Sequence, residues 1–172
     1  STYNTGWLPG DIKGAFLSDT SATDLVGSGE LVTNGTFDTD VSGWTALGVN
    51  TGDDISFIWN TSGYMEVTRG TDTIDGLPEQ AITTVPGRTY SISVDVVTAQ
   101  RAFWRVGSAS GGSNLVSTVV NNGNTTETRS FVATTTTSFV AFWTDSSVTT
   151  GIDNVSVKLA DADRSVNANG LI

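Results

Sequence analysis

Residues 90–96 read Tyr90-Ser91-Ile92-Ser93-Val94-Asp95-Val96, with an apolar residue at every second position. Successive side chains of a β-strand point to opposite faces, so the four apolar residues share one face and the three polar residues share the other. This alternation predicts a strand with one face in a hydrophobic core and the other toward solvent.

Similar runs occur on both sides of this stretch. They are residues 55–59, 64–68, 102–106, 115–120, 128–133, 138–144 and 152–159. Turn-forming pairs such as Ser62-Gly63, Pro86-Gly87, Gly111-Gly112 and Asn122-Gly123 separate several of them. About eight to ten short strands at this spacing predict an all-β fold, an antiparallel β-sandwich of the jelly-roll kind.

The composition agrees with an all-β domain and excludes several kinds of chemistry. Of 172 residues, 28 are Thr, 19 are Ser and 19 are Gly, whereas residues that favour helices are few. The length suits one domain with short appendages. Because the sequence contains no Cys and no His, it cannot form zinc sites built on thiolates or imidazoles, Ser-His-Asp triads or Cys nucleophiles.

The charge of the chain argues against two classes of partner. A formal net charge of −10 repels nucleic acid and anionic lipid surfaces. No run of apolar residues is long enough for a membrane-spanning helix. We therefore expect neither nucleic-acid binding nor membrane insertion.

The sequence divides into three predicted segments. Residues 1–27 are predicted to be irregular or briefly helical, and their apolar residues favour docking on another chain, so that this segment serves attachment or oligomerisation. Residues 28–160 form the predicted β-sandwich. Residues 161–172 lose the alternation and are predicted to be a linker to a following region.

Three motifs carry a resemblance to a known group of proteins. They are ELVTNGTFD at 30–38 followed by Gly43-Trp44, VPGRTYSISVDV at 85–96, and GIDNVSV at 151–157. In this order they resemble the opening, central and closing strands of jelly-roll carbohydrate-binding modules of families 4, 9, 16 and 22. The resemblance implies a β-sandwich that binds polysaccharide, although many proteins use this fold without binding sugar.

The resemblance also implies a structural Ca²⁺. Asp38, after the phenylalanine of the opening motif, and Asp153, in the closing motif, stand where these modules have carboxylate ligands. Ca²⁺ takes roughly six to eight oxygen ligands from carboxylates and carbonyls. In the alternative interpretation, Asp38 caps a turn and Asp153 accepts hydrogen bonds from the backbone.

Sugar binding requires aromatic faces for the C–H surfaces of the rings and polar groups for the hydroxyls. In residues 101–106, Trp104 shares a face with Ala102 and Val106, so an outward-facing arginine face would place Trp104 in the core. The candidate glycan-binding residues are Trp59, Tyr64, Arg101, Phe103, Arg105 and Trp143. For each aromatic residue taken singly, a core position is the alternative.

Catalysis is not expected. The pairs Asp53-Asp54 and Asp72 with Asp75 have the residue types of glycosidase carboxylates, but each pair lies beside glycine in a predicted turn. The chain is therefore predicted to be a non-enzymatic binding module.

The two ends of the sequence carry a second resemblance. Residues 4–20 and 163–171 are similar to segments of virion structural proteins of marine bacteriophages. This implies a tail-fibre or decoration protein on the virion surface, with other virion proteins as partners and a homo-oligomer, a trimer, as its state. It would bind host-surface or environmental polysaccharide. The alternatives are a virion spacer without a sugar site and a module appended to a secreted glycoside hydrolase.

Overall fold

The computed structural model describes residues 29–47, 55–70 and 76–160. Two of the predicted segments, 1–27 and 161–172, lie outside these residues. So do the two aspartate pairs that resemble glycosidase carboxylates, Asp53-Asp54 and Asp72 with Asp75. Within the described part there is no helix with the length and apolar character needed to cross a membrane.

Ten strands account for most of the described residues. They are β1 (Thr45–Leu47), β2 (Ile55–Asn60), β3 (Tyr64–Arg69), β4 (Leu77–Thr83), β5 (Thr89–Val96), β6 (Ala102–Gly107), β7 (Val116–Val120), β8 (Thr125–Val132), β9 (Thr137–Thr144) and β10 (Val148–Leu159). All eight strands predicted from alternation are present, with ends that differ by up to four residues.

The strands form two five-stranded sheets. The first sheet has the order β1-β4-β9-β6-β7 and the second has the order β2-β3-β10-β5-β8. Every pairing is antiparallel. The predicted all-β jelly-roll sandwich is confirmed.

The core lies between the two sheets and follows the predicted alternation. On β5, Tyr90, Ile92, Val94 and Val96 are buried, whereas the intervening polar residues are half-buried. Trp104 of β6 is fully buried on the inner face of the first sheet. Burying apolar area at about 25 cal/mol per Å² makes this layer the main source of folding free energy.

The opening motif differs from its prediction as a strand. Residues 30–38 contain bends and no strand, and Asn34 and Phe37 have positive φ angles of 51° and 45°. The segment runs beside β10 instead, because the Leu31 amide donates to the Val157 carbonyl at 3.0 Å and the Val155 amide donates to the Gly35 carbonyl at 2.9 Å. It also delivers the fully buried Phe37 to the core.

Two strands had no signal in the alternation. β1 has only three residues, and β4 reads Leu-Pro-Glu-Gln-Ala-Ile-Thr, with Pro78 followed by two polar residues. Proline is a poor sign of an inner strand because it cannot donate a ladder hydrogen bond. Nevertheless β4 lies between β1 and β9, and both Glu79 and Gln80 are buried.

Candidate functional site

An aromatic pair lies on the outer face of the first sheet. The pairing of β6 with β9 sets Phe103 opposite Trp143. Their rings are nearly parallel, at 9°, with centroids 5.3 Å apart, and both residues are half-buried. Their β6 and β9 neighbours Trp104 and Phe142 point the other way and are fully buried.

Two arginines flank this pair. Arg101, immediately before β6, and Arg105 of β6 alternate with Phe103 along the chain, so all three side chains lie on the same face. The guanidinium carbon of Arg101 lies 4.7 Å from the centroid of Phe103, and that of Arg105 lies 5.4 Å from the centroid of Trp143. Both distances suit cation–π contacts. We call these four residues the aromatic–arginine face.

The two arginines differ in their surroundings. Arg101 forms an ion pair with Asp145 at 3.4 Å, and both side chains are about 40% exposed. Arg105 is half-buried, and its Nε finds no hydrogen-bond partner among the residues that the structure describes. Burial lowers the pKa of Arg105, and attraction to Glu79 opposes this shift.

A loop borders the Arg105 end of the face. The buried carboxylate of Glu79 accepts hydrogen bonds from the Ser110 hydroxyl at 2.6 Å and from the Gly111 amide at 2.8 Å. A Cβ at Gly111 would lie only 4.0 Å from Nη2 of Arg105. Glu79 therefore holds the loop beside Arg105, a role that the sequence did not indicate because β4 was not recognised as a strand.

Two of the six predicted glycan-binding residues lie elsewhere. Trp59 is on β2 of the second sheet, where it packs against the core and donates its indole N–H to the Phe37 carbonyl at 2.7 Å. Tyr64 is on β3, and its ring is so close to Gly151 of β10 that a Cβ there would be 2.9 Å away. The structure thus joins Arg101, Phe103, Arg105 and Trp143, and it separates Trp59 and Tyr64 from them.

The two predicted metal ligands, Asp38 of the opening motif and Asp153 of β10, lie close enough for their charges to interact. Asp153 of β10 pairs in register with Asp95 of β5, and Asn154 donates its side-chain amide to Asp95 at 2.9 Å. The pKa of Asp153 is raised, first by burial and then by repulsion from Asp95 and Asp38, although a hydrogen bond from the Asn154 amide opposes the shift. Asp95 was not a predicted ligand, since its strand alternation alone explains its place in the sequence.

The carboxylates near Asp153 do not form a complete metal site by themselves. Within the described residues, no group of three or more acidic side chains has an arrangement that could hold a metal ion. Asp38 is exposed, and its carboxylate accepts a hydrogen bond from the Thr36 hydroxyl at 3.0 Å. A cation at this place would therefore need backbone carbonyl oxygens in addition to Asp38 and Asp153.

Comparison with known proteins gives no sequence family but a clear fold. No protein-family model matches the chain, and no curated protein matches it. A solved structure described as "CBM4 structure and function" is similar with a TM-score of 0.55 and 21% identity, over 74% of this chain and 99% of that chain.

Two family 22 modules are similar at the same level. The CBM22-1 xylan-binding domain of Paenibacillus barcinonensis Xyn10C has a TM-score of 0.52 and 13% identity, over 79% of this chain and 97% of that chain. The Clostridium thermocellum xylanase 10B CBM22-1-GH10 modules, complexed with xylohexaose, have a TM-score of 0.52 and 19% identity, over 77% of this chain and 28% of that chain. The described residues therefore have the jelly-roll fold that carbohydrate-binding modules use.

Proposed function

We propose that this chain is a non-catalytic glycan-binding module and that the aromatic–arginine face is its site. The observation that carries the proposal is the stacked, half-buried Phe103–Trp143 pair on the outer face of a sheet. Ring edges and exposed ring surface bind the C–H faces of sugars, and guanidinium N–H groups donate to sugar oxygens. One solved structure with this fold is described as a xylan-binding domain, which supports the assignment.

The acidic residues beside the face suit a binding role better than catalysis. Glycosidases use two carboxyl groups on either side of the scissile bond, one as acid and one as base or nucleophile. Both oxygens of Glu79 accept hydrogen bonds from the 108–114 loop, and Asp145 is paired with Arg101. These carboxylates position protein groups, so we assign them no proton-transfer role.

Removing the aromatic pair should abolish most glycan binding. An open face contacts few sugar rings, so we expect a Kd of about 10 µM to 1 mM for the native chain. Phe103→Ala/Trp143→Ala should weaken binding about tenfold or more, measured by affinity electrophoresis and calorimetry against a polysaccharide panel.

The matched control is Ile58→Ala, which removes an apolar side chain that is 58% exposed on the second sheet. It should leave affinity unchanged. Release of reducing sugar by the native chain, or full binding by the double variant, would contradict the proposal. If the native chain binds nothing across the panel, the virion spacer becomes the better interpretation.

We also propose that Ca²⁺ stabilises the sandwich through Asp38 and Asp153. The opening segment and β10 are already joined by backbone hydrogen bonds, and Asp153 is half-buried near two other negative charges. A divalent cation would relieve that repulsion. The donor set of two carboxylates with backbone carbonyls is of the kind that Ca²⁺ accepts.

Calcium should therefore raise the melting temperature. Binding to the native state alone adds RT ln(1 + [L]/Kd), about 2.7 kcal/mol at a hundredfold Kd, or several degrees for a domain of this size. EDTA should reverse the increase, and Asp153→Asn should remove it. The control is Asp145→Asn, which removes an aspartate that is paired with Arg101 beside the first sheet and should retain the calcium-dependent increase. If calcium does not change the melting temperature of the native chain, the metal assignment is wrong.

The biological setting that we propose is a phage virion, with the module at its surface as part of a tail fibre or decoration. This rests on the resemblance of residues 4–20 and 163–171, which lie outside the described residues. Weak sites gain avidity of roughly 10²–10⁴ when several engage one surface, and a trimer assembled through residues 1–27 would provide this. Attachment to a secreted glycoside hydrolase is the second candidate, favoured by the xylanase that carries a similar module.

A further inference from the structure

We propose that the aromatic–arginine face selects polysaccharides that carry carboxylate or sulfate groups. This inference rests on the proposed glycan-binding function and specifies its ligand class. Three features support it: the positions of Arg101 and Arg105, the N–H groups that these arginines can offer to a ligand, and the guanidinium groups that partly cover the two aromatic rings.

Two of the few positive charges of this acidic chain lie close together on this face. The net charge is −10, and the described residues include only six basic side chains. Two of the six lie on either side of Phe103: Arg101 immediately before β6 and Arg105 within it. Arginine presents several N–H donors in a planar fork that fits carboxylate and sulfate oxygens.

The donors of Arg105 are incompletely used within the protein. Its Nε is buried without a hydrogen-bond partner in the described part of the chain. Glu79 attracts Arg105 electrostatically, but its two oxygens accept from Ser110 and Gly111. Because this Nε is shielded from solvent, a ligand can approach only the terminal nitrogens of the guanidinium group. A half-buried cation is costly, and an anion bound at those nitrogens would offset that cost.

The donors of Arg101 are available in a different way. Its ion pair with Asp145 is exposed and 3.4 Å long. Exposed pairs of this kind contribute little to stability, so a ligand anion can replace Asp145 at small cost. Both arginines can therefore contact an acidic sugar unit without disturbing the core.

The aromatic pair offers less free surface than a flat stacking platform would. The two rings face each other, and each has a guanidinium group within 5.4 Å of its centroid. A neutral sugar that depends on stacking alone would have to compete with these contacts. A charged sugar can instead bind the guanidinium groups while its ring contacts the aromatic edges.

The experiment compares matched charged and neutral polysaccharides with the full chain. The probes are a polyuronate and its methyl ester, a sulfated galactan and its desulfated form, and neutral xylan. We expect at least one charged member to bind about tenfold or more tightly than its neutral counterpart. This preference should shrink between 0.1 M and 1 M salt, where the Debye length falls from about 10 Å to about 3 Å.

Variants then assign the preference to the two arginines. Arg105→Gln and Arg101→Gln should each reduce it, and thermal melting will show whether each variant is folded. Arg105→Lys keeps the charge but not the fork, so it should retain part of the preference even if Arg105→Gln is unstable. Arg129→Gln on β8 of the second sheet is the control and should change nothing.

The outcomes separate this inference from the proposed function. A charged polyuronate or galactan preferred over its neutral form, with the preference lost in the arginine variants, supports the inference and identifies which anion is recognised. Equal binding of charged and neutral forms, or equal weakening of both by Arg105→Gln, overturns the inference and leaves glycan binding intact. Binding to none of the probes overturns the inference, and with it the glycan-binding function.

Discussion

Trp104→Ala should lower the free energy of unfolding by about 3–5 kcal/mol. Trp104 is fully buried on the inner face of β6, where it lies opposite Phe142 of β9 and Thr118 of β7. Alanine would leave a large cavity in a layer that the second sheet covers from the other side. Chemical denaturation monitored by tyrosine and tryptophan fluorescence measures the loss, and the denaturant slope should stay nearly constant.

Two variants make this prediction specific. Trp104→Phe should cost clearly less than Trp104→Ala, because the indole N–H has no hydrogen-bond partner among the described residues and phenylalanine removes that unsatisfied donor. Trp143→Ala, on the outer face, should change stability much less than Trp104→Ala. If Trp143→Ala destabilises the protein as much as Trp104→Ala or more, the assignment of Trp104 to the inner face and Trp143 to the outer face is wrong.

The contrast between Trp104 and Phe103 also shows what the sequence could predict about the site. Alternation in residues 101–106 placed these two rings on opposite faces, and the structure agrees. It could not choose the outer face from periodicity alone, because the partner strand has Phe142 and Trp143 on opposite faces too. The structure resolves the choice, with Trp104 fully buried and the arginines on the outer face. The physical reason is that burying two guanidinium groups between the sheets would be far more costly than burying one indole.

The positions of Glu79, Asp95 and Trp59 could not be predicted, because they depend on contacts between residues that are far apart in the sequence. Glu79 holds the loop beside Arg105 through hydrogen bonds, but the presence of Pro78 prevented β4 from being recognised as a strand in the sequence. Asp95 reaches Asp153 only because β5 and β10 pair in register. Trp59 has the residue type of a sugar platform, yet its indole binds the Phe37 carbonyl, 22 residues earlier in the chain. Long-range register and long-range hydrogen bonds set these positions.

Gly35→Ala should destabilise the protein on the order of 3 kcal/mol. A Cβ at this position would lie 2.0 Å from the carbonyl oxygen of Val155 and 3.1 Å from Cγ1 of Val32. A backbone carbonyl cannot move aside as a flexible side chain can, so the opening segment must separate from β10. That would weaken the 2.9 Å hydrogen bond from the Val155 amide to the Gly35 carbonyl and disturb the packing of buried Phe37.

The same substitution links the fold to the proposed metal site. Asp38 follows Gly35 by three residues, and Asp153 precedes Val155 by two, so separating the backbones also separates the two carboxylates. Gly35→Ala should therefore lower the melting temperature by roughly 10 °C and reduce the increase caused by calcium. Gly29→Ala is the matched control, because a Cβ there would meet nothing within 4 Å. If Gly35→Ala melts like Gly29→Ala, then the opening segment does not pack tightly against β10, and the proposed pairing of Asp38 with Asp153 in a metal site loses its structural basis.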